Sequence, residues 1–200
     1  TPLISIILPT YNRAWVLEKA IKSIIVQTYS NWELIIVDNC SKDDTDKILE
    51  GFDDDRIKVL KINNKGSIGK SRNLGIENST GELIAFIDSD DTWFENKLEV
   101  CASVMTEKVN LVYHDLSISQ NGDLKKNKKI KSRILIKPVI NDLLIKGNPI
   151  SNSSVLIRRK IFKKIGTIIE DLKVNPSVDY HTWLKLALHT DSFHYVQQTL

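Results

Sequence analysis

The sequence predicts an α/β fold, a mostly parallel sheet flanked by helices on both faces. Three observations carry that expectation. Apolar runs of strand length alternate with helical patterns through the first half of the chain. The runs are apolar at successive residues rather than at every second one, as strands buried on both faces must be. Polar punctuation closes them at Pro9, Asp38 and Asp88. Parallel strands joined through helices take right-handed crossovers, which place helices on both sides of the sheet. At 200 residues, 42% hydrophobic and 26% charged, the chain can bury a sizeable core without disulfides or a structural metal.

The first strand is Leu3 to Leu8, stopped by Pro9. Ala14 to Thr28 comes next with apolar residues at Val16, Leu17, Ala20, Ile21, Ile24 and Ile25, the spacing of a one-faced helix. Trp32 to Val37 is a second strand, and Ser41 to Phe52 a capped helix with Asp43 and Asp44 in its first turn. A strand at Ile57 to Ile62, a helix at Ser67 to Asn78 and an apolar strand at Glu82 to Ile87 complete the regular half. Beyond Asp91 the rhythm loosens. Helices are expected at Asn96 to Lys108, Val139 to Lys146 and Asp179 to His189, and strands at Leu111 to His114, Ser153 to Ile157 and Phe193 to Val196. Ile118 to Leu124 holds the Asn-Gly turn of a hairpin. Lys125 to Lys137 is a basic stretch with seven Lys/Arg.

Several classes are excluded at once. No apolar run approaches the ~18 residues of a membrane span. Lys+Arg 28 minus Asp+Glu 25 leaves +3, which makes no case for a nucleic-acid partner. Cys40 and Cys101 are too few and too far apart for a disulfide framework or a zinc site, and the four histidines show no ligand spacing. A reduced, cytosolic setting is expected.

Ligands of open α/β sheets bind beyond the carboxyl ends of the strands. There the first strand delivers Pro9 to Asn12, the second Asp38 to Ser41 and the fourth Asp88-Ser-Asp-Asp91. Carboxylates so close together repel one another and raise their own pKa values unless a cation is present. Mg²⁺ or Mn²⁺ suits them, since such ions take one or two carboxylates and complete their shell with phosphate oxygens. The competing reading is a helix cap and turn, for which one aspartate suffices. Gly66-Ser-Ile-Gly69-Lys70-Ser71 ends like a phosphate-binding loop, but Asn64 stands where its first glycine must be. Gly66 and Gly69 are therefore assigned to backbone turning and capping, and Lys70 to solvent.

Five segments in order give a resemblance: Ile6 to Asn12, Leu34 to Asp38, Gly69-Lys-Ser-Arg-Asn73, Gly81 to Asp91 and Val178-Asp-Tyr-His-Thr-Trp-Leu184. Together they resemble the family 2 glycosyltransferases, inverting enzymes of GT-A fold, of the kind that build bacterial polysaccharides and other glycans. The resemblance spans about residues 3 to 198, and implies a single catalytic domain over 1–200. A nucleotide-sugar-binding half would occupy 1–91, and a smaller acceptor-binding half 92–200. It implies that Asp90 and Asp91, supported by Asp88, hold Mn²⁺ or Mg²⁺ against the donor diphosphate. Pro9, Thr10 and Tyr11 would cradle the nucleoside, with the Tyr11 ring either stacked on the base or closing the core edge. Asp38 would accept the uracil N3–H, or cap the next helix, or both. Arg72 and Asn73 fall near the donor. Asp179 takes the place of the catalytic base, with Val178 where the usual form has an acidic residue.

The activity so implied is transfer of a sugar from a UDP-linked donor to a hydroxyl of a glycan or lipid-linked acceptor. His114 and Trp93 could meet acceptor or sugar, or belong to the core. The basic run Lys125 to Lys137 is either a solvated face or a peripheral contact with anionic lipid at the inner membrane face. Two rivals remain. A sugar-phosphate nucleotidyltransferase wants a Gly-rich Arg/Lys loop after the first strand, which Tyr11 to Ala14 lacks. A non-catalytic nucleotide-sugar or glycan-binding module has no need to keep both the acidic cluster and Asp179.

Overall fold

The computed structural model describes residues 1–120 and 123–200, with side chains except at 119–127. The regular half runs β1 (Ile4–Thr10), α1 (Ala14–Ile25), β2 (Trp32–Asp38), α2 (Thr45–Glu50), β3 (Ile57–Lys61), α3 (Ile68–Glu77) and β4 (Leu83–Phe86). The second half holds α4 (Lys97–Ser103), β5 (Leu111–Gln120), β6 (Asp123–Ile130), α5 (Val139–Lys146), β7 (Leu156–Arg158), α6 (Phe162–Ile165), α7 (Val178–Ala187) and β8 (Phe193–Thr199). The strands form one sheet in the order β3-β2-β1-β4-β7-β5-β6, with β8 on β5. Strands β1 to β4 are parallel to their neighbours among themselves. β7 runs antiparallel between β4 and β5, and β8 is parallel to β5.

Alternation of side chains sorts the apolar runs onto two faces. Ile6, Leu8, Leu34, Ile36 and Ala85 pack with Leu17, Ile21 and Ile24 of α1 and with Leu98 and Cys101 of α4. Ile7, Ile35, Val37, Ile84 and Phe86 pack on the other side with Leu143 of α5 and with Trp183 and Leu186 of α7. Each fully buried Leu or Ile contributes roughly 1.5–3 kcal/mol, so two faces of such residues hold the parallel strands in register. That register sets Thr10 beside Asp38 and Ile7 beside Phe86, bringing three strand ends to one level.

Several boundaries differ from expectation, each for a local reason. α2 starts at Thr45 rather than Ser41, because residues 41–44 are tied into turns. The Ser41 amide donates to the Asp38 carboxylate, and Asp43 accepts from the Ala14 amide and the Thr45 hydroxyl. α4 stops at Ser103, short of Lys108, and Arg158 takes the carbonyls of Met105 and Thr106 beyond it. The strand expected from Ser153 begins at Leu156, after a 3₁₀ turn over Asn152–Ser154. β5 and β6 pair antiparallel as a hairpin should, while its Asn121-Gly122 turn lies outside the described residues.

Gly69 serves neither turning nor capping. A Cβ there would lie 2.0 Å from the Ile169 carbonyl oxygen, so the α3 backbone touches the 168–170 segment directly. Gly66 does turn the chain, at φ +91°. Replacing a helical glycine by alanine ordinarily stabilises by about 0.5–1 kcal/mol. Gly69→Ala should instead destabilise by about 1–3 kcal/mol, because backbone must separate to admit the methyl. Urea unfolding measures the sign, and a stabilised variant would contradict the close contact.

Candidate active site

The loops beyond the aligned strand ends are stitched to one another. Asn12 takes a left-handed φ of 50° and donates its amide to the Ser41 hydroxyl at 2.9 Å. Its side-chain oxygen accepts the Lys42 amide at 2.8 Å. Asp38 is fully buried and accepts the Ser41 amide at 3.1 Å and the Ser41 hydroxyl at 2.5 Å. Asn39 accepts the Asn64 amide at 2.9 Å, bringing the loop after β3 into the same rim. Between these loops and the end of β4 opens a cavity of about 370 Å³, lined by Pro9, Thr10, Tyr11, Asp88 and Asp90, with Asn64 and Asn175 at its sides. The Thr10 hydroxyl is buried there with no partner among the described residues. Tyr11 is half exposed, so its ring does not close the core edge.

The acidic cluster is held from both halves of the chain. Arg72, nearly buried on α3, donates to Asp88 at 2.9 Å, and the Asn152 amide donates to the same oxygen at 3.0 Å. The Ser153 hydroxyl accepts the Asp88 amide at 3.0 Å and donates to Asp91 at 2.6 Å. Ser153 is itself fixed by Trp93, whose ring nitrogen donates to its carbonyl at 2.8 Å. Asp90 projects into the cavity, half exposed, with Arg13 at 3.9 Å. Burial pushes the Asp91 carboxyl above its ordinary pKa, and repulsion from Asp88 and Asp90 adds to that against the Ser153 hydrogen bond.

A divalent ion fits this donor set. One oxygen each of Asp88 and Asp91 is free of hydrogen bonds among the described residues, and Asp90 faces open space. No group of three or more acidic, His or Cys side chains among the described residues forms a cage by itself. The ion would therefore take part of its shell from phosphate oxygens, as Mg²⁺ and Mn²⁺ commonly do.

Asp179 stands in the first turn of α7 and accepts the Tyr180 amide at 2.8 Å. Arg72 and Asp88 act on it electrostatically, although it is not among the cavity-lining residues. Its carboxyl is pushed above the ordinary carboxylate value, by burial first and by the Asp88 charge besides. The amide and Arg72 oppose this without overcoming it, so the helix start does not dominate as charge–dipole reasoning alone would have it.

The structure thus gathers Pro9, Thr10, Tyr11, Asp88 and Asp90 on one cavity, whereas Asp91, anchored through Ser153, and the fully buried Asp38 are not among its lining residues. Asn73 departs from expectation. Its amide donates to the Ile168 carbonyl and to Glu170, at 2.9 and 2.8 Å, and its oxygen accepts the Ile168 amide. It fastens the 168–170 segment to α3 and is not among the cavity-lining residues. His114 is fully buried with its ring on the Asp115 carbonyl at 2.7 Å, and burial drives its pKa to about 3, so it belongs to the core. Trp93, 5% exposed, is core as well. Asn152 and Ser153 escaped the sequence reading. A polar tetrad Ser151 to Ser154 between apolar residues is its sole trace.

Residues 5–166 match glycosyl transferase family 2. Over 186 residues the chain is 32% identical to the UDP-Glc:alpha-D-GlcNAc-diphosphoundecaprenol beta-1,3-glucosyltransferase WfgD of Escherichia coli, covering 92% of this chain and 69% of that protein. It is 37% identical over 128 residues to a GalNAc(5)-diNAcBac-PP-undecaprenol beta-1,3-glucosyltransferase of Campylobacter jejuni, covering 62% of this chain and 41% of that one. The fold matches S. aureus TarS 1-349 in complex with UDP-GlcNAc at a TM-score of 0.77 and 24% identity, covering 98% of this chain and 56% of TarS 1-349. It also matches the mannosyltransferase PcManGT from Pyrobaculum calidifontis in complex with GDP-Man and Mn2+, at 0.71 and 19%, covering 99% of this chain and 55% of that one. The chain therefore spans between 41% and 69% of the length of these proteins. A parallel half-sheet that ends on an acidic cluster, continued by an antiparallel half, is the GT-A fold of the glycosyltransferases. Within that class the chain belongs to glycosyl transferase family 2.

Ser153→Ala removes the donor to Asp91 and the acceptor of the Asp88 amide together. A buried polar group left unpaired costs about 1–3 kcal/mol. Denaturant unfolding should show that loss, and unchanged stability would deny Ser153 its bridging role.

Proposed function

We propose that residues 1–200 form one inverting catalytic domain that transfers a sugar from a UDP-linked donor to a hydroxyl of a lipid-linked glycan. Residues 1–91 take the donor and 92–200 the acceptor. The observation that carries this is the acidic cluster facing the strand-end cavity, and the electrostatic influence of Asp88 and Arg72 on Asp179 supports a base at the same site. Membership of a glycosyltransferase family supports it, as do two relatives whose names specify undecaprenol-linked acceptors and β-1,3 products.

Pro9, Thr10 and Tyr11 bind the nucleoside, and the orphaned Thr10 hydroxyl and half-exposed Tyr11 ring offer it a hydrogen bond and a stacking face. Asp38 accepts the uracil N3–H. A carboxylate has room for about four hydrogen bonds, so its ties to Ser41 leave acceptor capacity. Cytosine, with no hydrogen at N3, is disfavoured. Asp90 and Asp91, backed by Asp88, hold Mn²⁺ or Mg²⁺, which when bound offsets the charge gathering on the diphosphate as the sugar–phosphate bond breaks. The acceptor hydroxyl attacks the anomeric carbon from the face opposite the departing diphosphate, and Asp179 takes its proton. A carboxyl lifted by burial is a stronger base than a solvated one. A single displacement inverts the centre, so an α-linked donor gives a β-linked product. The setting that suits a lipid-linked acceptor is the inner face of the cytoplasmic membrane. Among the described residues no helix is long and apolar enough to cross it.

Asp179→Asn keeps a side-chain oxygen to accept the Tyr180 amide but cannot accept a proton. Transfer should fall on the order of 10²–10⁴-fold while melting and UDP affinity hold, and near-normal transfer would remove Asp179 from the mechanism. The acid limb of the wild-type rate should lie above the ordinary aspartate range, because protonation of a carboxyl with a raised pKa removes the base as pH falls. UDP titration by calorimetry tests the metal separately. Affinity should drop sharply in EDTA and in Asp90→Asn, and equal affinity with and without a divalent ion would overturn the assignment.

A further inference from the structure

The 131–137 segment and α5 form a face whose polarity is inverted. Arg133 and Leu135 turn inward, where the guanidinium meets Asp142 and the Gly147 carbonyl and the leucine packs on the core. Their neighbours Ile134 and Ile136 turn outward, 72% and 59% exposed. On α5 the inward positions are Val139, Asp142 and Leu143, while Leu144 and Ile145 are 63% and 81% exposed. The two elements lie together, because the Ile136 amide donates to Asp142 and Arg133 spans to Gly147 just past α5. An acid is thus spent on the inside and four large aliphatic side chains on the outside, the reverse of a solvated surface. Lys128, Lys129, Lys131, Lys137 and Lys146 are exposed around them. The one carboxylate of α5 is buried and paired with Arg133 and Lys146.

We propose that this face docks the protein on an anionic lipid bilayer. Aliphatic side chains ringed by lysines suit the headgroup boundary, where the chains enter the apolar layer and the ammonium groups meet lipid phosphate. The lysine ring argues for lipid rather than a second copy of the chain, since a two-fold contact would set these lysines against themselves. The face also adjoins the site. The hydroxyl of Tyr180, the residue after Asp179, donates to the Leu143 carbonyl of α5 at 2.7 Å. Past Gly147 the chain runs straight to Asn152 and Ser153 at the acidic cluster. A lipid-borne acceptor would then present its glycan where the base stands, a purpose that rests on the function proposed above although the docking itself does not.

Co-sedimentation with phosphatidylcholine vesicles, with and without about 30% phosphatidylglycerol, tests the docking without donor or acceptor. Binding should be at least about tenfold stronger to the anionic vesicles and should weaken with salt. The combined variant Ile134→Ser, Ile136→Ser, Leu144→Ser, Ile145→Ser should lose it while keeping UDP affinity and melting temperature. Lys131→Glu with Lys137→Glu should lose the anionic preference. Equal binding by wild type and the serine variant, or no binding to anionic vesicles, overturns the proposal. So does a wild-type dimer in sedimentation equilibrium that the serine variant dissociates, since a second copy would then own the face. Transfer lost with vesicle binding intact would count against the proposed function and leave the docking standing.

Discussion

Everything at the site depends on holding like charges at the end of β4. Asp88, Asp90 and Asp91 stand on one strand end, and two of them are partly or largely out of water. Charge compensation arrives from both sides because β4 has a parallel neighbour on one edge and an antiparallel one on the other. From the parallel half α3 sends Arg72, and from the antiparallel half the turn before β7 sends Asn152 and Ser153. Arg72 needs Asp88 as much as the reverse, since its guanidinium lies nearly buried above Phe86. Removing Asp88 would leave the nearly buried guanidinium without its counter-charge. The two halves are thereby joined by electrostatics at the point where the cavity opens.

The same arrangement gives nearby aspartates different characters. Asp88 is tied to a cation and an amide, Asp90 faces open space, and Asp91 is pressed upward in pKa by burial and by its neighbours. Asp179 is raised by burial as well, but its hydrogen-bond donor is a helix amide. Carboxylates whose environments differ this much divide readily into ligands and a base.

The parallel half was legible because strands buried on both faces are apolar at nearly every residue. β4 therefore reads as an unbroken run, and β1 and β2 are interrupted only by Ser5 and Glu33 before their polar ends. Strand-end polar clusters exposed most of the cavity for the same reason: nothing in a core accounts for Asp88 to Asp91. The antiparallel half was less legible. β7 spans three residues, too few to show a period, and the turn ahead of it carries its chemistry in Asn152 and Ser153, which any loop could contain. Asn73 came to the donor with Arg72 in a helix-start motif, and a motif says nothing about the direction of each side chain on the helix. The two side chains diverge, one toward Asp88 and the other toward Ile168. Asp179 emerged from the ordered motifs rather than from its own surroundings, since an acid at a helix start is common.

The clasp between α3 and the 168–170 segment fixes more than local packing. Gly69 lets the two backbones touch, and Asn73 and the Ser67 hydroxyl, on the Glu170 carbonyl, lock the segment in place. The chain then proceeds directly to the turn that carries Asp179. Asp179 is therefore indexed to the half that carries Arg72, although it lies far along the sequence. The stretch from β6 through α5 reaches the site without taking part in that clasp. On the function proposed above, its surface can diverge to accommodate new glycans while Asp179 keeps its place relative to α3, so one frame can serve many acceptors.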